Sequence, residues 1–248
     1  MNLKNKTILI TGGTGSFGNA FVNYSIKNNL FKKIIIFSRD EMKQWFMKSK
    51  YQKHLTKLRF FIGDVRDYRR LEKALIDVDM VIHAAATKIV STAEYDPFEC
   101  VKTNVVGAMN VIDACINRNI PRVLALSTDK ACNPINLYGS TKLASDKLFI
   151  ASNHYASKSS TKFSIMRYGN MISSRGSVIP FFLEMKNLNK SLPVTDKNMT
   201  RFFISLNDAV ISCLDDFSNM VGDEIYVKKC KSLKILDWAK AVSKNIKI

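Results

Sequence analysis

The chain has 248 residues, is 46% hydrophobic, and sets 38 Lys and Arg against 21 Asp and Glu, a formal net charge of +17. That length buries a full core and fits one α/β domain with a smaller appendage. No apolar run is long enough to span a bilayer, and the first six residues lead straight into a strand pattern with no room for a signal peptide, so no membrane partner is expected. The lysines are spread along the whole chain, without a dense block of alternating aromatics. The charge therefore reads as solvated surface and a field that attracts an anionic small molecule, not as a nucleic-acid interface. The five cysteines, Cys100, Cys115, Cys132, Cys213 and Cys230, are odd in number and lack metal-ligand spacing. Reduced thiols in a cytoplasmic protein without a metal are expected.

Short apolar runs alternate with helical patterns. Thr7–Thr11 reads as a strand and Phe17–Asn29 as a helix; Lys33–Ser38 and Glu41–Lys50 repeat the pair. Leu58–Ile62 and Tyr68–Ile76 follow, then strand Met80–Ala84 and a long helix within Pro97–Arg118. Strand Arg122–Ser127, helix Tyr138–His154 and strand Lys162–Tyr168 complete the series. Parallel strands need crossovers, and continuously apolar runs suit strands covered on both faces. The expected fold is thus α/β, a doubly wound parallel sheet of Rossmann type over residues 1–168. Beyond Tyr168 the alternation breaks down: 169–193 reads as loop and helix, and Ser205–Asp208 as a capping box before Ala209–Leu214. Residues 169–248 are expected to form a smaller, partial substrate lobe over the open end of the sheet.

The run Thr11-Gly12-Gly13-Thr14-Gly15-Ser16-Phe17-Gly18 follows the first strand and opens the first helix. Glycines at 12, 15 and 18 permit a tight turn, close approach of a pyrophosphate, and packing of helix on sheet. The helix N-terminus then presents free N–H groups to the anion. An enzyme that uses NAD places an acid about 20 residues past this loop for the ribose hydroxyls. Here that place holds Phe37-Ser38-Arg39, with Lys43 one turn on, a set suited to the 2′-phosphate of NADP. Asp40, slightly late for the hydroxyl role, keeps NAD open. Asp64 in Gly63-Asp64-Val65 is positioned to take an adenine amino group, and Ala84-Ala85-Ala86 supplies small residues beside the cofactor.

Ser127-Thr128-Asp129-Lys130 ends the fifth strand, at the sheet edge where ligands bind. Tyr138 and Lys142 follow, four apart and so on one helical face. A nearby ammonium and a positive nicotinamide are expected to lower the phenol pKa from about 10, making Tyr138 a base toward a sugar hydroxyl. The Asp129–Lys130 pair reads either as a structural ion pair or as the acid and base of an elimination.

The order T-G-G-T-G-S-F-G, G-D-V-R-D, H-A-A-A, Y-x-x-x-K resembles the extended short-chain dehydrogenases that act on nucleotide sugars. More narrowly, Ser38–Glu41, Ala93–Pro97, Ser127–Lys147, Arg167–Asn170, Ser174–Val178, Thr195-Asp196 and Met199–Phe202 resemble the inverting UDP-N-acetylglucosamine 4,6-dehydratases, which begin pseudaminic acid synthesis. The resemblance implies a lyase cycle: hydride leaves carbon 4 for NADP with Tyr138 as base, Lys130 removes the carbon 5 proton, Asp129 assists loss of water from carbon 6, and hydride returns to carbon 6 with inversion at carbon 5. It implies catalytic roles for Thr128, Asp129, Lys130, Tyr138 and Lys142. It implies a cofactor site of Gly12, Thr14, Gly15, Ser16, Phe17, Gly18, Ser38, Arg39, Asp40, Glu41, Met42, Lys43, Asp64, Val65, Ala84, Lys88, Met171, Tyr138 and Lys142. It places the UDP-sugar on Lys88, Asn170, Arg175, Gly176, Ser177, Val178, Ile179, Thr195 and Arg201; the forks of Arg175 and Arg201 suit a diphosphate. It also implies a homo-oligomer in which the helices Pro97–Arg118 and Tyr138–His154 pair across a dimer.

The chain departs from that pattern at Thr87, where Leu is expected, and at Met171-Ile172-Ser173, where Val-Val-Gly is expected. It stops at Ile248, before a G-I-R-P-G-E-K segment by which the family completes its small lobe, so a truncated substrate lobe is expected. A UDP-sugar 4-epimerase and an inactive NADP-binding sensor are the rival readings; an epimerase is not expected to carry Thr128-Asp129-Lys130.

Overall fold

The computed structural model describes residues 2–156 and 160–243. Strands β1 (Thr7–Thr11), β2 (Lys33–Ser38), β3 (Leu58–Ile62), β4 (Met80–His83), β5 (Arg122–Leu126) and β6 (Lys162–Arg167) form as the apolar runs dictate. They pair in parallel in the order β3-β2-β1-β4-β5-β6, and β9 (Ile225–Val227) adds a seventh parallel strand beyond β6. Side-chain alternation divides these strands between two cores. Ile8, Ile10, Ile34, Ile36, Ile82 and Leu124 face one side, where Phe17, Phe21 and Val22 of α1 (Ser16–Lys27) meet Val210, Cys213 and Phe217 of α9 (Leu206–Asn219). Leu9, Ile35, Val81, Val123 and Ile165 face the other, under α3 (Tyr68–Ala74), α6 (Gly107–Asn117) and α7 (Leu137–Tyr155). Covered faces on both sides explain why the inner strands are so apolar, while the edge strand β3 leaves Arg59 and Ile62 exposed.

The remaining elements are α2 (Glu41–Lys50), α4 (Val90–Tyr95), α5 (Pro97–Val101), β7 (Asn170–Met171), α8 (Val178–Asn187), β8 (Thr200–Ile204), β10 (Lys231–Lys234) and α10 (Ile235–Val242). The helix expected within Pro97–Arg118 is α5 running into α6 through a π turn at Lys102–Val106. The capping box holds: Ser205 Oγ accepts the Asp208 N–H at 3.0 Å and opens α9. A second sheet, β10-β8-β7, packs with α8 and α10 around a separate core of Ile179, Phe182, Leu192, Phe203, Ile235 and Ala239. Among the described residues no helix is long and apolar enough to cross a membrane.

The sheet order reverses between β1 and β4, which leaves a crevice beyond their carboxyl ends. Thr11 ties that junction. Its Oγ accepts the N–H groups of Ala84 and Ala85 at 3.1 and 3.2 Å, so its own proton points to His83 Nδ1 at 2.9 Å. That hydrogen bond makes Nδ1 the acceptor and holds the ring neutral. Burial pushes the His83 pKa down to about 3, and the charge of Lys142 adds to the fall. The unfolded chain, with an ordinary histidine, then binds a proton that the folded chain refuses. Stability contributed by neutral His83 is complete above pH 6.5 and is lost as pH falls toward about 3. The slope is about 1.4 kcal/mol per pH unit. His83→Asn keeps an acceptor for Thr11 and is expected to flatten that slope between about pH 6 and pH 5, as read by urea denaturation.

Candidate active site

The crevice is built first by what is missing at Gly12 and Gly18. Gly12 has φ +63°, and a Cβ there would lie 2.9 Å from Ala85 Cα; at Gly18 it would lie 2.1 Å from the Gly13 carbonyl oxygen. The chain therefore turns tightly against β4 and enters α1 flush with its own loop. Gly15 stands at the α1 N-cap with no side-chain cap, and no acid lies in the first turn, so the positive end of the helix is unopposed. Thr14 Oγ, 2.7 Å from Ser38 Oγ, fastens the loop to the end of β2. Phe17 is a core side chain, so only its backbone faces the crevice.

Past β2, Arg39 is exposed and lies 3.5 Å from an oxygen of Asp64. Asp40 caps α2, accepting the Lys43 N–H at 2.9 Å and pairing with the Lys43 ammonium. Those Lys43 hydrogen bonds hold the Asp40 carboxyl below its ordinary value. Glu41, Met42 and Lys43 are exposed on the first turn of α2. Burial raises the Asp64 carboxyl, but hydrogen bonds from the Arg66 guanidinium and N–H outweigh it and the net shift is downward. Val65 is buried against Gly107, leaving its carbonyl to accept from Asn110 at 2.9 Å.

The fifth strand delivers the second group. Thr128 Oγ donates to Asp129 Oδ1 at 2.9 Å, and Lys130 Nζ lies 3.0 Å from the same oxygen and 3.2 Å from Asn170 Oδ1. Asn170 is held in turn by donating to the Phe202 carbonyl at 3.0 Å. Thr128 lies close enough to the Tyr138 hydroxyl to favour its ionised form. Thr128, Asp129, Lys130, Tyr138 and Asn170 are thus brought into one linked cluster. The expected depression of the Tyr138 phenol is not found in the chain itself. Burial pushes it up to about 12; Thr128 opposes that rise, and the charges of Asp129 and Asp146 add to it. Lys142, whose buried ammonium donates to the Leu126 carbonyl at 2.8 Å, is not among the groups that shift it.

Arg175 is placed on the glycine loop. Its N–H donates to Ser16 Oγ at 3.0 Å, its guanidinium to the Thr14 carbonyl, and its own carbonyl accepts Lys88 Nζ at 2.8 Å. Gly176 and Ser177 follow at the start of α8, where Ile179 is buried. Met171 is buried in β7 beside the same crevice wall as Ile204. Thr195 is exposed, and Arg201 is exposed with its guanidinium on the neighbouring Thr200 carbonyl at 2.8 Å; neither joins the linked cluster.

Two positioning groups escaped the sequence reading. Asn104, buried in the π turn, accepts the Thr87 N–H at 2.8 Å and donates to the Thr87 carbonyl at 2.9 Å and to Thr141 Oγ at 3.0 Å. Its signal was an amide at an interior position of an apolar helix. Asp146, four residues past Lys142, accepts from Ser127 Oγ at 2.9 Å and Arg167 Nε at 2.8 Å. The repeated spacing of four at Tyr138, Lys142 and Asp146 was there to be read.

The sequence pattern of a family described as "Polysaccharide biosynthesis protein" matches residues 8–248. The chain belongs to that family. Within it, 242 residues are 54% identical to a UDP-N-acetylglucosamine 4,6-dehydratase (inverting) of Campylobacter jejuni (strain 81-176), covering 97% of this chain and 72% of that protein. A UDP-glucose 4-epimerase of Rickettsia akari is 45% identical over 240 residues, 96% of this chain and 70% of that one. Among solved structures, Pen from Bacillus thuringiensis superposes with a TM-score of 0.95 at 35% identity, covering all of this chain and 78% of that one. DesIV, a dTDP-glucose 4,6-dehydratase from Streptomyces venezuelae solved with NAD and TYD, has a TM-score of 0.84 at 21% identity, covering 95% and 80%. The family fold is the Rossmann-type sheet of extended short-chain dehydrogenases and reductases.

Asn104→Ala strands the Thr87 N–H and carbonyl and removes a donor from Thr141 Oγ, which keeps its bond to the Tyr138 carbonyl. It is expected to cost about 2 kcal/mol in a urea melt, the scale of unsatisfied buried polar groups.

Proposed function

We propose that the chain binds NADP and carries out the inverting 4,6-dehydration of UDP-N-acetylglucosamine. The observation that carries this reading is the Thr128-Asp129-Lys130 turn set against Tyr138 and Asn170. It gives a proton donor and a proton acceptor 3.0 Å apart beside a phenol, at the ligand-binding edge of the sheet. The Campylobacter relative supports the same assignment.

The residues present fit the cofactor. An uncapped helix end and two crowded glycines leave room and polarity for a diphosphate, and Arg39 and Lys43 stand past β2 where a 2′-phosphate would need cations. The carboxylates nearby are already engaged, Asp40 by Lys43 and Asp64 by Arg66 and Arg39. NADP, when bound, supplies a hydride acceptor for carbon 4 and a hydride donor for carbon 6. Tyr138 takes the proton of the carbon 4 hydroxyl, and Thr128 orients the phenol. Passage of one proton from Lys130 to Asp129 across their contact turns an ion pair into a base and an acid. Lys130 then removes the proton at carbon 5 and Asp129 protonates the departing carbon 6 hydroxyl. Lys142 remains available to the nicotinamide ribose from its place under β5.

The unit of β7, β8, β10, α8 and α10 is the part we assign to the UDP-sugar, with Lys88, Asn170, Thr195 and Arg201 as contacts. Exposed Tyr95, Phe98, Val101, Val106 and Met109 along α4–α6 support docking of a second copy there. The five cysteines are free, which suits a reducing cytoplasm.

The Rickettsia relative favours a second reading, 4-epimerisation, in which no water leaves. Incubation with UDP-N-acetylglucosamine followed by mass spectrometry and proton NMR decides between them: loss of one water and a new methyl signal is expected, whereas an unchanged mass with a new carbon 4 epimer overturns dehydration. Lys130→Ala is expected to abolish water loss by at least about a hundredfold while NADP still binds. Arg39→Ala is expected to weaken NADP about tenfold more than NAD in calorimetric titration, and equal losses would remove the 2′-phosphate argument.

A further inference from the structure

Helix α2 has two marked faces, and only one of them meets the protein. The inner face is Gln44 and Met47, continued by Tyr51, all buried. The Gln44 amide donates to the Ser38 carbonyl at 2.9 Å and to the Phe61 carbonyl at 3.1 Å, which bolts the helix to β2 and β3. Met47 and Tyr51 join the core with Ile34, Ile36 and Leu58. These contacts fix the rotation of the helix. The outer face carries Met42, Trp45 and Phe46, spaced three and four apart and so in one stripe. They are 59%, 57% and 61% exposed. Trp45 and Phe46 pack edge to face, with centroids 5.1 Å apart and planes at 75°. Single exposed apolar side chains are ordinary, but a contiguous patch marks a surface that meets something apolar.

The stripe is bordered by cations. Lys48, three past Trp45, runs along one side, and Lys50, four past Phe46, along the other. The 3-10 turn Gln52–Lys57 continues the surface with exposed Lys53 and Leu55. Arg59 follows, exposed on the edge strand β3. Residues 41–59 hold six basic residues and one acid, Glu41. Lys48, Lys50, Lys53 and Arg59 make no ion pair among the described residues, whereas Lys43 is neutralised by Asp40.

We infer that α2 docks the protein reversibly on an anionic lipid surface. Trp45 and Phe46 enter the headgroup layer, and Lys48, Lys50 and Lys53 meet the lipid phosphates. Apolar rings flanked on both sides by lysines are the pattern of a helix that lies in the membrane plane. Indole rings favour that depth, and long lysine stems let the ammonium groups reach the headgroups. Spanning segments, whose absence made a membrane partner unexpected from the sequence, are not needed by a helix in the interface. A second copy laid face to face on the patch brings Lys48, Lys50 and Lys53 against their own kind, on a chain of net charge +17. Edge-to-face rings lack the parallel faces on which successive bases stack, which disfavours nucleic acid. Neither the cofactor nor the proposed reaction enters into this docking.

The test mixes the full chain with vesicles of phosphatidylcholine holding about 30% phosphatidylglycerol and reads binding by co-sedimentation. Trp45 is its own probe, because Trp238 is the one other tryptophan and Trp238→Phe removes its signal. Binding to these vesicles, a blue shift of Trp45 emission and release in about 0.5 M salt are expected. Trp45→Ala with Phe46→Ala is expected to lower the vesicle partition at least about tenfold, and Lys48→Glu with Lys50→Glu and Lys53→Glu to abolish it. Both sets lie on the solvent face and are expected to melt as the unsubstituted chain does. No binding to the anionic vesicles overturns the inference. Equal binding to pure phosphatidylcholine, or unchanged binding by the doubly substituted chain, overturns it as well. Self-association, or retention of a DNA oligonucleotide, that is lost in the same double variant while vesicles stay unbound overturns it in favour of a second copy or of nucleic acid.

Discussion

The contact between the end of β1 and the exit of β4 is the constraint on which the site depends. Thr11 draws the Ala84 and Ala85 N–H groups onto its hydroxyl, and Gly12 fits beside Ala85 only because it has no Cβ. The two chains are pressed together at that point and diverge beyond it, because the sheet order reverses there. The crevice is the space left by that divergence. A larger residue at either place would push β4 away from the loop, and the helix N-terminus of α1 would no longer face the ends of β4 and β5.

Helix α7 organises the other half. Lys142 donates to the last carbonyl of β5, while Asp146 holds Ser127 just after β5 and Arg167 at the end of β6. Tyr138, one turn before Lys142, is thereby fixed against the turn that carries Thr128, Asp129 and Lys130. Asp146 and Arg167 form a largely buried ion pair at 2.8 Å, and removal of one partner from such a pair costs about 3–5 kcal/mol because the other is left uncompensated. The positions of Tyr138 and Lys142 are therefore set by the same helix that Asp146 and Arg167 bind to the sheet.

Six of the seven strands of the large sheet were legible because each is a mainly apolar run between turn residues, and the inner ones are covered on both faces. The smaller sheet was not. β10 is exposed throughout and β8 is buried only at Phe203 and Ile204, so neither carries a clear period. β9 is three residues on an edge, too short for a pattern, and α4 and α10 are helices of six and eight residues. At the site, the glycine loop and the Tyr138–Lys142 pair were legible because their spacing is local. The contacts of Arg175 with Ser16 and Thr14 were not, since those residues lie at the far end of the chain. Nor was the height of the Tyr138 pKa, which depends on how deeply the phenol is buried and on where Lys142 points.

That phenol carries a last consequence. Burial holds the Tyr138 phenol up at about 12, so the fold by itself keeps that hydroxyl protonated at neutral pH. Reactivity is conditional on what enters the crevice, because a positive charge brought beside the phenol lowers the pKa that burial has raised. The fold thus keeps this proton in place, and a cation alongside it would loosen it.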